Sequence, residues 1–339
     1  MVPVAMALIT LVHSTKAAGD PDAVTHERNF SLCILLALAY GASIGGMATL
    51  IGSPPNGIYM RFMEQTYGQV VSIASWMKVG VPVTLLLFIV SFFVLTGLMF
   101  RNMGGSVPGG KEWVRNELRS MGKLSTGEKA VGLCFLIAAV LWFSGAQLRG
   151  INIDGWQPFK YLTDAVIAMG MGIVPFLIPV DRKGTMAMDW KTANEAISWD
   201  VLLLFGGGLS LASAIQHTGV AQLIGAQVAV LAGSPFPVVL FGVGFIVTFA
   251  TGVTSNTALA AMMMPLLAAV ANALGLPPQP ILMGTALAAS AAFILPISTP
   301  PNAIVFGTGK IKIADMFRAG ILINFVAIFM ITGVMLLLD

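Results

Sequence analysis

Nine apolar stretches run along the chain, at about 31–61, 79–100, 130–148, 165–180, 201–217, 235–254, 257–273, 280–309 and 317–338. Each is close to or above the roughly 17–25 residues that cross a bilayer as a helix. The first and the eighth are interrupted near the middle by the same polar pattern. It reads Ser53-Pro54-Pro55-Asn56-Gly57-Ile58 in one and Thr299-Pro300-Pro301-Asn302-Ala303-Ile304 in the other. A residue before proline is pushed out of the helical region. Proline in turn suits the first position of a helix, where its missing N–H costs nothing. The pattern therefore predicts two helices that stop and restart, with Ser53 and Thr299 as the N-caps of the second halves. Non-helical backbone at membrane depth is viable only where it lines a cavity or is buried in protein. Matching interruptions in two halves of a chain mark a transporter's binding site.

Composition agrees. Apolar residues make up 57% of the chain and charged residues only 10%, with a mean hydropathy of +0.87. Soluble domains carry about 25% charged residues, so the pattern predicts an all-α integral membrane protein. No Asp, Glu, Lys or Arg occurs from 201 to 309, so several passes fall there. In that run Gly206-Gly207-Gly208 reads as close helix packing, and His217 as an outer-interface residue. Cys33 and Cys134 read as ordinary core residues.

Lys and Arg orient the chain. With 101–129 and 181–198 placed in the cytoplasm, 14 of the 18 basic residues lie inside, and the C-terminus is outside. The same count holds whether 235–273 is a re-entrant hairpin or two full spans. The segment from Asp189 to Asp200 carries Trp190 and Trp199 and reads as an interfacial amphipathic helix. A solvated connector is the plainer alternative.

Each break opens a new helix N-terminus within the membrane. Free N–H groups and the positive end of the helix dipole suit an anion. Carbonyls left at the end of the preceding half, those of Gly52 and Ser298, suit a cation. A third polar element, Thr251-Gly252-Val253-Thr254-Ser255-Asn256-Thr257, separates two apolar runs and predicts a hairpin tip. Ser255 or Asn256 would cap the helix that follows. Hydroxyl, amide and backbone oxygens without a carboxylate suit a monovalent cation such as sodium, whereas calcium normally draws on Asp or Glu. No acid–base pair lies in the membrane region, which argues against an enzyme.

At these residues the chain resembles the divalent anion:sodium symporter family. The stretches that carry the resemblance are 43–56, 204–212, 254–257 and 296–307. It implies two inverted repeats, each with a re-entrant hairpin tipped by Ser-Asn-Thr and a helix broken at Pro-Pro. It also implies a homodimer in the plasma membrane and an elevator-like motion. Carried over, substrate carboxylates would meet Ser53, Pro54, Asn256, Thr257, Thr299 and Pro300. Sodium would be held by Gly52 at one site and by Thr251, Thr254, Asn256 and the Ser298 carbonyl at another, with Ser255 on the same tip. Sodium is the coupling ion, and no other cofactor is expected. Gly252 stands where many relatives carry glutamate.

The resemblance divides the chain into a first repeat at 1–100, a linker at 101–129 and a second repeat at 130–339. Met1-Val2-Pro3-Val4-Ala5-Met6 matches Met263-Met264-Pro265-Leu266-Leu267-Ala268. The first repeat then reads as incomplete, an N-terminally truncated member that opens just past its own hairpin tip, with a polar loop at 14–30. Such a chain is expected to transport poorly alone. The function expected is secondary active transport of small dianions such as succinate, coupled to sodium. A proton-coupled anion permease and a non-transporting membrane protein are the alternatives.

Overall fold

The computed structural model describes residues 2–15, 23–101, 122–153, 156–181, 184–197 and 233–338, with scattered positions at 112–120 and 199–218. In chain order the helices are α1 (Val2–Thr15), α2 (Ala23–Met47), α3 (Pro54–Tyr67), α4 (Ile73–Phe93, continued by a π turn at Val94–Met99) and α5 (Thr126–Arg149). They continue with α6 (Asp164–Ile173), α7 (Trp190–Ala196), α8 (Phe236–Val253), α9 (Asn256–Leu274), α10 (Pro278–Ser290), α11 (Pro300–Phe306) and α12 (Ile313–Leu338). Among the described residues there is no β-strand, and six helices are long and apolar enough to cross a membrane. The protein is an all-α, multi-pass membrane protein.

Several boundaries differ from the hydrophobic pattern. α2 starts at Ala23, so 23–30 is helical rather than loop. Its charged first turns are held by Arg28, which donates to Asp315 at 2.9 Å. The run at 165–180 yields only α6 and a 3₁₀ turn at Val174–Phe176, where Pro175 ends the helix. That piece is shorter than a span. α8 and α9 have 18 and 19 residues, and helix continues through Thr251-Gly252-Val253, so the turn between them is confined to Thr254 and Ser255. The expected span at 201–217, with its triple glycine, falls largely outside the described residues.

Contacts divide the chain into two compact units. The first holds Met1–Val71, Trp76–Gly110 and Asp200–Asp339. In it α10 is the central helix, with α3, α8, α9 and α12 packed against it. Residues 281–294 of this segment are buried without a gap. Small side chains (Gly284, Ala286, Ala288, Ala289) let neighbouring helices approach closely. Trp76, Tyr40, Tyr59, Phe62 and Phe293 are the largest fully buried side chains.

The second unit holds Ser72–Ser75 and Lys111–Trp199. α5 opens on a capping box: Ser125 Oγ accepts from the Glu128 N–H, and the Glu128 carboxylate accepts from the Ser125 N–H. This satisfies two of the donors that a helix start leaves free. Its apolar residues Leu133, Phe135, Leu136 and Val140 face outward. Asp189 caps α7, and Trp190 and Trp199 are exposed beside it. Of the segment read as helix from 189 to 200, Trp190–Ala196 is helical and has no buried residue, and Ile197 is already extended.

Candidate functional site

Both breaks have the same construction. Ser53 (φ −145°, ψ 138°) and Thr299 (φ −145°, ψ 150°) are extended, and each is followed by helix that begins on two prolines. In the first, the Asn56 amide nitrogen donates to the carbonyls of Gly46 at 3.0 Å and Thr49 at 2.8 Å. In the second, that of Asn302 donates to Ala292 at 2.9 Å and Leu295 at 3.1 Å. Ten and seven residues separate donor from acceptors in both. Each asparagine thus reaches back across the break and satisfies carbonyls that the interrupted helix leaves without partners.

Neighbouring helices complete the job. Trp76 Nε1 donates to the Met47 carbonyl at 2.9 Å and Thr84 Oγ1 to that of Ile44 at 3.2 Å. At the second break, Thr248 and Thr251 hydroxyls donate to the carbonyls of Ala288 (3.4 Å) and Ala289 (3.0 Å). Asn324 Oδ1 accepts from the Phe293 N–H at 3.2 Å. Backbone approaches side-on where a glycine permits it. A Cβ on Gly80 would lie 2.7 Å from the Met47 carbonyl oxygen, and one on Gly320 would lie 2.2 Å from that of Phe293.

The expected caps need correction. Ser53 and Thr299 occupy the N-cap positions, but neither side chain caps. The prolines have no N–H to offer at the first two positions, and the third N–H of α3, that of Asn56, goes to the Ser53 carbonyl. The hydroxyls are released for other work. Ser53 Oγ pairs with Ser290 Oγ at 2.9 Å, and Thr299 Oγ1, buried, has no protein partner. The diproline also removes the first two backbone N–H donors expected for an anion, which shifts the weight to hydroxyls and the helix dipole. The carbonyls of Gly52 and Ser298 accept no hydrogen bond from the described residues.

At the hairpin, Ser255 is the N-cap of α9 and Asn256 is its first helical residue. Asn256 Oδ1 accepts from the Thr257 N–H at 2.8 Å and from the Thr257 hydroxyl at 3.2 Å, whereas Ser255 makes no side-chain cap. Ser298 Oγ donates to the Gly252 carbonyl at 2.8 Å, so the end of α8 is tied to the residue before Thr299. α9 packs on α3. Hairpin and both breaks therefore meet around the end of α10.

Among the residues proposed from sequence, Ser53, Thr251, Asn256, Thr257, Ser298 and Thr299 are buried, while Gly52, Pro54, Thr254, Ser255 and Pro300 are exposed at the same break and tip segments. Thr254 Oγ1 donates back to Ala250 within α8. Sequence reading missed Asn56 and Asn302, although their recurrence at the same offset was visible. It also missed Ser290, Asn324, Gly80 and Gly320, whose roles arise from residues distant in sequence.

Broken apolar helices with buried polar elbows, gathered around one central helix, are the arrangement that forms binding sites in broken-helix membrane transporters. The chain belongs to the family described as sodium:sulfate symporter transmembrane region, whose model matches residues 1–338. It is similar to the sodium-dependent dicarboxylate transporter SdcS of Staphylococcus saprophyticus, at 36% identity over 336 residues, covering 98% of this chain and 63% of that one. The transporter of the same name from Staphylococcus aureus is 36% identical over 329 residues, covering 96% and 62%. The chain thus spans a little under two thirds of the length of these relatives. The family and these relatives are transporters rather than enzymes.

Proposed function

We propose that this protein carries small divalent anions, dicarboxylates such as succinate first among them, across the plasma membrane by sodium-coupled secondary transport. The observation that carries this reading is the meeting of the second break with the hairpin tip through Ser298 and Gly252. It gathers Thr251, Asn256, Thr257, Ser298 and Thr299 in a region that holds no charged side chain. A dianion there is held by neutral donors: the hydroxyls of Ser53, Thr257 and Thr299 and the Asn256 amide, with Pro54 and Pro300 shaping the floor. Sodium would take carbonyl and hydroxyl oxygens, at Gly52 on one side and at Thr251, Thr254, Ser255, Asn256 and Ser298 on the other. Cation and dianion neutralise each other in a medium where an unpaired charge is expensive. That mutual dependence is a physical basis for coupling. The names of the relatives support both the substrate class and the ion.

The remaining elements of the reading are a homodimer, elevator-like movement, cytoplasmic loops at 101–129 and 181–198, and an outside C-terminus. The basic-residue asymmetry supports the orientation. The test is thermal stability of the purified protein with sodium, succinate, both, or potassium and succinate. Stabilisation by sodium and succinate together, beyond either alone, is expected. No response to either ligand would refute binding, and an equal response in potassium at low pH would favour proton coupling.

A further inference from the structure

Asn56 and Asn302 do more than end a helix. Their amide nitrogens each bridge two carbonyls across the break, at the same ten- and seven-residue offsets in the two halves. Both side chains are fully buried. Each amide sits three residues after the hydroxyl of Ser53 or Thr299, on the first turn of the helix that the hydroxyl precedes. Simple termination would not need this. Carbonyls at a helix end are ordinarily satisfied by a turn or by water, and a diproline stops a helix unaided. What the amide adds is a fixed distance between the outgoing and incoming halves.

The geometry points to Asn56 and Asn302 as twin positioning residues, amide clamps that hold each broken helix at one opening and so set where the Ser53 and Thr299 hydroxyls stand. The donor N–H₂ group does this, not the oxygen, which accepts no protein hydrogen bond in either copy. The link to ligand binding rests on the transport reading above; the clamp itself does not. Neighbouring helices bond to adjoining backbone without bridging the gap: Trp76 on the Met47 carbonyl at the first break, Asn324 on the Phe293 N–H at the second.

The test uses the full chain in detergent micelles. Cys33 and Cys134 are replaced by alanine, and Thr299→Cys supplies one buried thiol. Adding Asn302→Asp, which keeps the shape and removes the donor, is expected to speed alkylation of Cys at 299 at least tenfold; Ser53→Cys with Asn56→Asp should behave alike. Hydrogen exchange on the unsubstituted chain guards against variants that do not fold. Amides at 48–53 and 291–299 should exchange within about tenfold of those in the flanking helices. Unchanged alkylation, or exchange at open-loop rates, overturns the clamp.

A third arm separates positioning from mere stability. In the otherwise native chain, Asn302→Asp and Asn56→Asp should raise the succinate concentration for half-maximal stabilisation at least tenfold. Trp76→Phe should lower the melting temperature and leave that concentration unchanged; an equal shift in Trp76→Phe would reduce the asparagines to structural supports. If the unsubstituted chain shows no response to succinate and sodium, the transport reading fails, and the alkylation and exchange arms still decide the clamp.

Discussion

The hydroxyl of Ser53 lies 2.9 Å from that of Ser290, across 237 residues of sequence. One stands at the first break and the other on the last turn of α10, where the second broken helix leaves its regular part. The two interruptions are thus joined by a single buried hydrogen bond. Either oxygen can donate, so each retains a hydrogen or a lone pair for something else. A ligand reaching Ser53 will be felt at the end of α10.

Removing either hydroxyl leaves the other buried with one partner fewer. Ser53→Ala and Ser290→Ala are each expected to destabilise by about 1–3 kcal/mol. The double variant should cost less than their sum. A double-mutant cycle on chemical or thermal unfolding should return a coupling of about 0.5–1.5 kcal/mol. Strict additivity would show that the pair is not formed.

Gly320 sits where α12 meets the non-helical backbone of Phe293 and Ile294. A Cβ there would lie 2.2 Å from the Phe293 oxygen and 2.8 Å from the Ile294 Cα. Backbone cannot yield as a flexible side chain can. Gly320→Ala should therefore lower stability by about 2–3 kcal/mol or more. Gly333, on the same helix, has open space at that position, and Gly333→Ala should be neutral or raise stability by up to about 1 kcal/mol through helix propensity. Melting temperatures of the two variants make the comparison.

Thr299 and Asn256 should separate folding from ligand binding. The Thr299 hydroxyl is buried without a protein partner, so Thr299→Val removes a desolvated polar group at little cost, within about 1 kcal/mol. Asn256 Oδ1 accepts from the Thr257 N–H at the start of α9, and Asn256→Ala should cost about 1 kcal/mol. Both variants are expected to lose stabilisation by sodium with succinate. A full ligand response in Thr299→Val would remove that hydroxyl from the site.

Asp189 gives the surface helix α7 a pH dependence. The Thr192 backbone N–H, and then its hydroxyl, hold the carboxylate below its ordinary range. A depressed carboxylate contributes stability that is present above its unfolded pKa of about 3.9 and is lost as pH falls through the folded value. α7 should therefore loosen below about pH 4. Fluorescence of the adjacent Trp190 and Trp199 reports it. Asp189→Asn, which caps without titrating, should abolish the transition.

Much of this was legible in order along the chain. The long apolar runs, the twin diprolines and the uncharged stretch from 201 to 309 are local properties, and each acts within a few residues of where it is written. Proline restricts its own neighbour, and apolar length sets what can cross a bilayer. Boundaries were harder. α2 begins within charged sequence because Arg28 meets Asp315, and α8 stays helical through the polar Thr251-Gly252 because Thr251 finds the Ala289 carbonyl. Both partners lie far off in sequence.

By itself, then, the sequence determined that this is a helical membrane protein with two helices broken at matching elbows, since backbone sterics and hydrophobic length are written residue by residue. Only the tertiary structure decided what the elbows do with their polar groups. Ser53 and Thr299 do not cap, Asn56 and Asn302 span the gaps, and Gly80 and Gly320 admit bare backbone. The physical reason is that a carbonyl released inside the membrane is costly without a partner, and which side chain arrives depends on how distant helices pack.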